Sequence, residues 1–113
     1  MISDLTLETL GSGLRGLNLR KSQHEDAIAN VETPGYRARR VDFESQLTRA
    51  VDAGTPQTAR ATTTFTNDAP LPNGNNVQLE REITSLTETA LSQQLLISAA
   101  NAKYGLLRTV ITG

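Results

Sequence analysis

The stretch Ala29-Asn30-Val31-Glu32-Thr33-Pro34-Gly35-Tyr36 decides the fold, because a long amphipathic pattern that starts near the N-terminus meets a Pro-Gly pair here. Pro34 has no backbone N–H and its ring disfavours the α conformation of Thr33, so an arriving helix is predicted to end at about Thr33. Pro followed by Gly fits the central positions of a turn, since glycine adopts a positive φ without steric cost. The chain is therefore expected to change direction at Pro34 and Gly35.

Upstream of this turn, apolar residues recur at alternating spacings of three and four, the heptad pattern of a helix that packs along a partner helix. We call this stripe the seam; its positions are Leu7, Leu10, Leu14, Leu17, Lys21, His24, Ile28 and Val31. Three glycines interrupt the first half, at Gly11, Gly13 and Gly16. Each weakens a helix by roughly 0.8–1 kcal/mol relative to alanine, so this half is expected to need a partner surface.

The same spacing returns in the C-terminal third of the chain. Its positions are Ile83, Leu86, Ala90, Gln93, Ile97, Ala100, Tyr104, Leu107 and Ile111. Asn75 or Asn76 is predicted to cap this second long helix. Laying the two helices antiparallel places Leu14 beside Tyr104 and His24 beside Gln93, so that two polar residues share one layer. The predicted fold is mainly α, with long N- and C-terminal helices in an antiparallel, coiled-coil-like hairpin.

The middle of the chain has a different composition. Phe43, Leu47, Ala50 and Val51 share one helical face, which favours a short helix over residues 42–51 capped by Asp42, while a strand over 37–43 is the competing interpretation. Thr, Pro, Gly and Asn then dominate, which predicts a poorly ordered or partly extended connector with one short strand around 62–66. The predicted organisation is 1–33 N-terminal seam helix, 34–52 turn and short helix or strand, 53–76 connector, and 77–113 C-terminal seam helix.

Some leucines fall outside the seam. They are Leu5, Leu19, Leu91, Leu95 and Leu106, which are predicted to point outward. Exposed apolar rows on a helix usually mark a binding surface, although single surface leucines are ordinary on monomers. The row favours packing against helices of other chains.

Composition excludes several classes of function. Eleven basic and twelve acidic side chains give a net charge of -1, and there is no cysteine. A neutral chain with two Phe and two Tyr gives little support for nucleic-acid binding. Without cysteine, disulfides, thiolate metal sites and cysteine nucleophiles are absent. No apolar run approaches the ~18 residues of a membrane span, and no cleavable secretory signal is visible.

Three motifs invite a chemical interpretation, and each has a simpler one. Residues 11–16 match G-x-G-x-x-G, but no buried strand precedes them and no βα units follow, so close helix packing is the better explanation. His24 is the single histidine and has no metal-ligand or Ser-His-Asp constellation around it. Arg37, Arg39 and Arg40 are expected to face Asp42, Glu44 or a carboxylate of an adjoining subunit. We predict no catalytic residue, metal site or cofactor.

Residues 29–36 resemble the A-N-x-x-T-P-G-Y signature shared by the axial proteins of the bacterial flagellum, which form its rod and hook. The run Asn73-Gly74-Asn75-Asn76-Val77, continuing to Glu82, resembles the D-G-N-x-V-x-x-x-x-E pattern that precedes the C-terminal helix in proximal rod subunits of the basal body. The resemblance covers about residues 1–52 and 73–113. Asn73 replaces the usual Asp, Gln78 replaces a common second acid, and the middle segment is shorter than in most members.

This resemblance implies a non-enzymatic building block of the basal-body rod that is required for motility. Its expected partners are other copies of itself, other rod subunits, and the membrane ring or export-gate adaptor. It implies export from the cytoplasm by the flagellar type III apparatus without signal-peptide cleavage, followed by assembly in the periplasm, with no nucleic acid and no direct membrane insertion. The alternative is a free-standing helical-hairpin adaptor that binds a cytoplasmic partner.

Two sets of residues are expected to carry this role. The first set shapes the exit of the first helix: Ala29, Asn30, Thr33, Pro34, Gly35 and Tyr36. The second forms the helix-packing seam: Leu10, Leu14, Leu17, Ile28, Ile83, Leu86, Ile97, Tyr104 and Leu107.

Overall fold

The computed structural model describes the backbone of residues 2–112 and the side chains of residues 5–111. The elements in chain order are α1 (Ile2–Ala29), β1 (Arg39–Asp42), α2 (Glu44–Asp52), a short 3-10 turn (Pro56–Thr58), β2 (Thr62–Phe65) and α3 (Leu79–Thr112). The molecule is elongated, with principal extents of 63 × 26 × 14 Å. Its length follows from the two helices, which rise about 1.5 Å per residue.

The two long helices form the predicted antiparallel hairpin. Gln93 Nε2 donates to Asn18 Oδ1 at 2.5 Å, and His24 Nδ1 lies 2.5 Å from Glu82 Oε2. Residue numbers therefore rise along α1 while they fall along α3. The predicted fold class is confirmed, and the largest set of contacts between elements joins these two helices.

The predicted register of the hairpin is wrong. His24 faces Glu82 instead of Gln93, and Gln93 faces Asn18. Glu82 and Gln93 are eleven residues apart, which is about three turns of helix. A heptad repeat recurs every seven residues, so it is compatible with several alignments along the partner helix and could not fix the register.

The seam residues are buried to different degrees. Leu17 is buried, and Leu10, Leu14, Ile28, Leu86 and Leu107 are half-buried. Three others are largely exposed in this chain, Ile83 at 49%, Ile97 at 48% and Tyr104 at 55%. The buried positions on α3 include Glu82 and Thr89, each one residue before a predicted seam position. The face of α3 that meets α1 is thus rotated away from the isoleucines.

The apolar core joins α1 to the middle segment. Leu17, Val41 and Phe43 are buried together, and Leu19, Ala61 and Leu96 pack against them. Leu19 was predicted to point outward, and this is wrong, because it is partly buried and packs against the cluster that contains Val41 and Phe43. Leu5, Leu91, Leu95 and Leu106 are exposed, at 39 to 70%.

A close approach at the glycines explains the G-x-G-x-x-G motif. A Cβ on Gly16 would lie 2.2 Å from Cγ of Phe43, and one on Gly13 would lie 3.1 Å from Cδ1 of Leu96. The ring of Phe43 therefore rests directly on the backbone of α1. Gly13 and Gly16 serve packing, and their cost in helix propensity is offset by apolar burial.

The middle segment contains both competing predictions, a strand followed by a helix. β1 pairs antiparallel with β2 in the register Arg39↔Phe65 to Asp42↔Thr62. The helix then begins at Glu44, with Phe43 at its N-cap position and no side-chain cap. The predicted cap by Asp42 is wrong, because its carboxylate accepts from the Ser45 hydroxyl instead, at 2.8 Å.

Arg20 of α1 anchors this segment. Its guanidinium donates to both carboxylate oxygens of Glu44, at 2.8 and 2.6 Å, and to the Val41 carbonyl at 2.7 Å. It also lies 4.7 Å from the centroid of Phe43. The hydrogen bond from Arg20 lowers the pKa of the Glu44 carboxyl below its usual 4.5.

Glu44 is therefore not the partner of the basic run Arg37-Ala38-Arg39-Arg40. Arg37 and Arg39 instead stack on Phe65 of β2, at 4.2 and 5.3 Å from the ring centroid. Such cation–π contacts hold the cations without a carboxylate.

We expect Gly16→Ala to lower the free energy of unfolding by about 1–3 kcal/mol, because the new methyl group would overlap the Phe43 ring. Gly11→Ala is the matched control: its Cβ would meet only Arg15 Nη1, at 3.7 Å, so it should stabilise α1 by up to ~1 kcal/mol. Denaturant unfolding followed by circular dichroism measures both. Equal stability gains in the two variants would contradict this packing.

The Arg20–Glu44 pair predicts an acid-sensitive contribution to stability. Because the folded-state pKa of Glu44 is lowered, the contribution is present above about pH 4.5 and is lost as the pH falls through the folded-state value. Wild-type protein should be more stable than Glu44→Gln at pH 7, and the difference should vanish well below pH 4. The exposed Glu25→Gln serves as control. A difference that does not change with pH would show that the carboxylate charge is irrelevant.

Candidate functional site at the helix junction

The predicted turn after α1 is present. The N–H of Tyr36 donates to the Thr33 carbonyl at 3.2 Å, and Gly35 has a φ of 75°. Helix α1 ends at Ala29, earlier than the predicted Thr33, and residues 30–33 continue as tight turns. Pro34 and Gly35 are exposed, whereas Tyr36 is half-buried.

Asn30 and Thr33 are linked through their side chains, which explains the A-N-x-x-T spacing. Asn30 Nδ2 donates to the Asp26 carbonyl at 2.8 Å, and the Thr33 hydroxyl donates to Asn30 Oδ1 at 3.0 Å. The Thr33 N–H also bonds the Asn30 carbonyl, at 3.0 Å. The last turn of α1 is thereby tied to the turn that follows it.

Asn75 closes the end of α1 from the other side of the chain. Its Nδ2 donates to the carbonyls of Asn30 and Thr33, at 2.9 and 2.8 Å, and its Oδ1 accepts from the Val77 N–H at 2.8 Å. The residue is fully buried, with 0% exposure. The same two carbonyls also accept from the N–H groups of Thr33 and Tyr36, so Asn75 adds a second hydrogen bond to each and ties the loop before α3 to the turn after α1.

The two loops also meet through their backbones. The Gly35 N–H donates to the Asn73 carbonyl at 2.9 Å, and the Asn76 N–H donates to the Tyr36 carbonyl at 3.2 Å. Gly74 has a φ of 84°, and a Cβ there would lie 3.3 Å from Gly35 Cα. Two glycines with positive φ therefore stand backbone to backbone, where a side chain on Gly74 would press against the turn.

Asn76 extends the junction toward the middle segment. Its Oδ1 accepts from the Ala38 N–H at 2.6 Å, and its Nδ2 donates to the Thr66 hydroxyl at 3.3 Å and the Asp68 carbonyl at 3.2 Å. The prediction that Asn75 or Asn76 caps α3 is wrong. Helix α3 starts at Leu79, and its Glu82 N–H bonds the Gln78 carbonyl at 3.0 Å. Both asparagines hold the exit of α1 instead.

His24 and Glu82 complete the junction one turn into α3. The carboxylate can only accept, so the His24 ring nitrogen donates to it, and both side chains are largely buried, at 15 and 8% exposure. Burial and then the nearby Asp26 charge raise the pKa of the Tyr36 phenol, which favours its neutral form. The contact between His24 and Glu82 fixes the register of the hairpin at this end.

The junction is suited to holding two helices and shows no arrangement for covalent chemistry. Its polar atoms bond each other, and the part of the chain with described residues contains no group of three side chains able to hold a metal ion. Among the helices described, none is long and apolar enough to cross a membrane.

The structure brings Asn30, Thr33, Gly35 and Tyr36 of the predicted motif into one site, while Ala29 and Pro34 lie at its exposed edge. Sequence reasoning missed the second half of the site. These residues are Asn73, Gly74, Asn75, Asn76, His24 and Glu82. The Asn-Gly-Asn-Asn run was a visible signal, because so many short polar side chains in one place indicate local hydrogen bonding to backbone.

We expect Asn75→Ala to lower the free energy of unfolding by about 1–3 kcal/mol, because it removes three hydrogen bonds of a buried side chain, two to the carbonyls of Asn30 and Thr33 and one from the Val77 N–H. Asn67→Ala, at an exposed connector position, should change it little. Denaturant unfolding measures the loss, and hydrogen exchange of the amides in 30–36 should accelerate in the first variant alone. Equal small effects in the two variants would exclude this role for Asn75.

Comparison with known proteins assigns the chain to a family. It is 30% identical to the flagellar basal body rod protein FlgB of Cereibacter sphaeroides, with 94% of this chain and 95% of that protein aligned. It is 29% identical to FlgB of Escherichia coli, covering 95% of this chain and 99% of that protein, and 27% identical to FlgB of Bacillus subtilis, covering 96% and 94%. No protein-family model matches the chain.

Each alignment runs through nearly the whole chain, so it includes both long helices and both loops of the junction. The relatives agree with the flagellar resemblance of the two motifs. The chain belongs to the family of the flagellar basal body rod protein FlgB.

Proposed function

We propose that this proximal rod subunit acts without catalysis or cofactor, through helix packing with its neighbours. The proposed partners are other copies of itself, other rod subunits, and the membrane ring or export-gate adaptor. The proposed route is export through the flagellar type III apparatus without signal-peptide cleavage, followed by assembly in the periplasm. The FlgB relatives support the location in the basal body, and the geometry supports the mode of assembly.

One observation supports packing with neighbours above all others: α3 exposes many large apolar side chains. Its exposed large apolar side chains lie along the whole helix. They are Leu79, Ile83, Leu91, Leu95, Ile97, Tyr104, Leu106, Val110 and Ile111, at 40 to 81% exposure. Exposed apolar rows on a helix usually mark an interaction site, and each leucine or isoleucine buried there contributes roughly 1.5–3 kcal/mol.

The predicted seam acquires a second role in this proposal. Ile83, Ile97 and Tyr104 recur along α3 at multiples of seven residues, so they form a single row beside the α1 contact. This row is available to a helix of a neighbouring subunit while α1 keeps its own contact. One helix then serves both the fold of the subunit and its assembly.

The junction supports the same proposal. It fixes the angle and register at which α3 packs against α1, so every copy presents its exposed rows in the same orientation. A rod transmits torque, and many desolvated helix contacts resist rotation better than a few surface ion pairs, which contribute about 0–1 kcal/mol each.

We expect Tyr104→Asp to abolish motility while the subunit is still produced and exported, because a charge in the packed row cannot be desolvated. Ala69→Asp places the same charge at an exposed connector position and should leave motility unchanged. Swimming in soft agar and the amount of subunit in purified basal bodies are the measurements. Normal motility of Tyr104→Asp would contradict the proposal, and incorporation into a cytoplasmic complex instead of basal bodies would favour the adaptor alternative.

A further inference from the structure

A groove lies between α1, α2 and the segment that leads into β2. Its floor is apolar, formed by Leu19, Phe43, Leu47 and Ala61, and the volume is about 560 Å³. Two arginines stand at its rim, Arg15 and Arg60, and both are exposed. We call this feature the arginine-rimmed groove. The missing side chain of Gly16 allows the Phe43 ring to lie against α1 and form part of this floor.

The rim arginines hold no carboxylate within the described chain. Arg15 donates to the Ser12 hydroxyl at 2.6 Å, and Arg60 donates to the carbonyls of Gln57 and Ala59 at 3.1 and 3.0 Å. These neutral acceptors leave both positive charges uncompensated. An apolar floor between two such cations fits a ligand that combines apolar side chains with a negative charge.

Helix α3 carries a surface of that composition. Leu91 and Leu95 are exposed at 61 and 70%, and Glu88 precedes Leu91 by three residues. Residues three and four apart are neighbours on a helix, so these three side chains form one short row. We call it the outer row. Glu88 is exposed and has no ion pair among the described residues.

We propose that the outer row of one copy occupies the arginine-rimmed groove of the next copy in the rod. Leu91 and Leu95 enter the apolar floor, and Glu88 meets the rim arginines. The inference rests on the proposed function and names the surfaces that carry one contact between copies. Charge complementarity and the match of an apolar row to an apolar groove select this occupant.

The geometry of this contact suits a rod. The groove and the outer row are different patches of the same chain, so the contact is heterologous and leaves a free groove at one end and a free row at the other. A heterologous contact that does not close into a ring builds an open helical array. The row also lies apart from Ile97 and Tyr104, so the two packing surfaces of α3 can be tested separately.

The absence of native cysteine allows a disulfide test in assembled basal bodies. The test variant is Gln57→Cys with Leu95→Cys, which places one thiol at the groove and one on the row. Mild oxidation should yield a ladder of covalent dimers and higher species from the double variant and none from either single variant. Gln57→Cys with Ile97→Cys is the matched control and should not cross-link.

Three results would overturn the inference: no cross-link from the double variant, equal cross-linking of the Ile97 control, or dimers from Leu95→Cys alone, which would indicate a two-fold contact between rows. In each case the subunit would still be found in basal bodies, so the proposed function would stand. If neither the wild-type subunit nor any variant were found in basal bodies, the proposed function itself would be contradicted.

A charge exchange gives an independent measurement. Arg60→Glu and Glu88→Arg should each reduce the spread of motile cells, and the double variant should recover it, because the ion pair is restored with reversed polarity. Arg49→Glu, on the exposed face of α2, serves as control and should have little effect. Additive losses in the double variant would overturn the contact between Arg60 and Glu88.

Discussion

The buried side chain of Asn75 is the interaction on which the rest of the structure depends. It belongs to the loop before α3, and it donates to carbonyls of the turn that follows α1, across 45 residues of sequence to Asn30 and 42 to Thr33. An apolar residue there would make none of these hydrogen bonds, and a charged one would be buried at a high cost in free energy. The side-chain amide of Asn75 thus links the turn after α1 to the loop before α3, with its nitrogen as donor and its oxygen as acceptor. The position of α3 relative to the end of α1 depends on this contact.

Several polar side chains are buried beside the small apolar core, and many large apolar side chains are exposed. The buried polar residues include Ser12, Asn75, Asn76, Glu82 and Thr89, while large apolar residues line the outside of α3. Buried polar groups with complete hydrogen bonding specify a unique geometry more than they add stability. Exposed apolar rows supply binding energy only when a neighbour covers them. This division suits a subunit whose shape must be defined before assembly and whose contacts are completed by assembly.

The site could be predicted in part. Pro34, Gly35 and the A-N-x-x-T spacing predicted a turn, because these residues favour particular backbone conformations at their own positions. The roles of Asn75 and Glu82 could not be derived from local rules, since asparagine before a helix is a good cap and glutamate in a first helical turn suits the helix dipole. Both residues instead form hydrogen bonds with partners that are far away in the sequence. Local propensity describes what a residue can do, and tertiary contact selects among the options.

The sequence by itself determined the two long helices and the turn between α1 and the middle segment, because heptad spacing and Pro-Gly chemistry are encoded within a few neighbouring residues. The antiparallel hairpin, which a layer of His24 with Gln93 had favoured, is present, but each of these two residues has another partner. The register of the hairpin and the face that α3 presents to α1 were decided by the tertiary structure. A heptad repeat fits a partner equally well after a displacement of seven residues, so periodicity alone allows several registers. The contact of His24 with Glu82 and the clamp of Asn75 remove that ambiguity, because buried polar groups accept only the alignment in which each finds its partner.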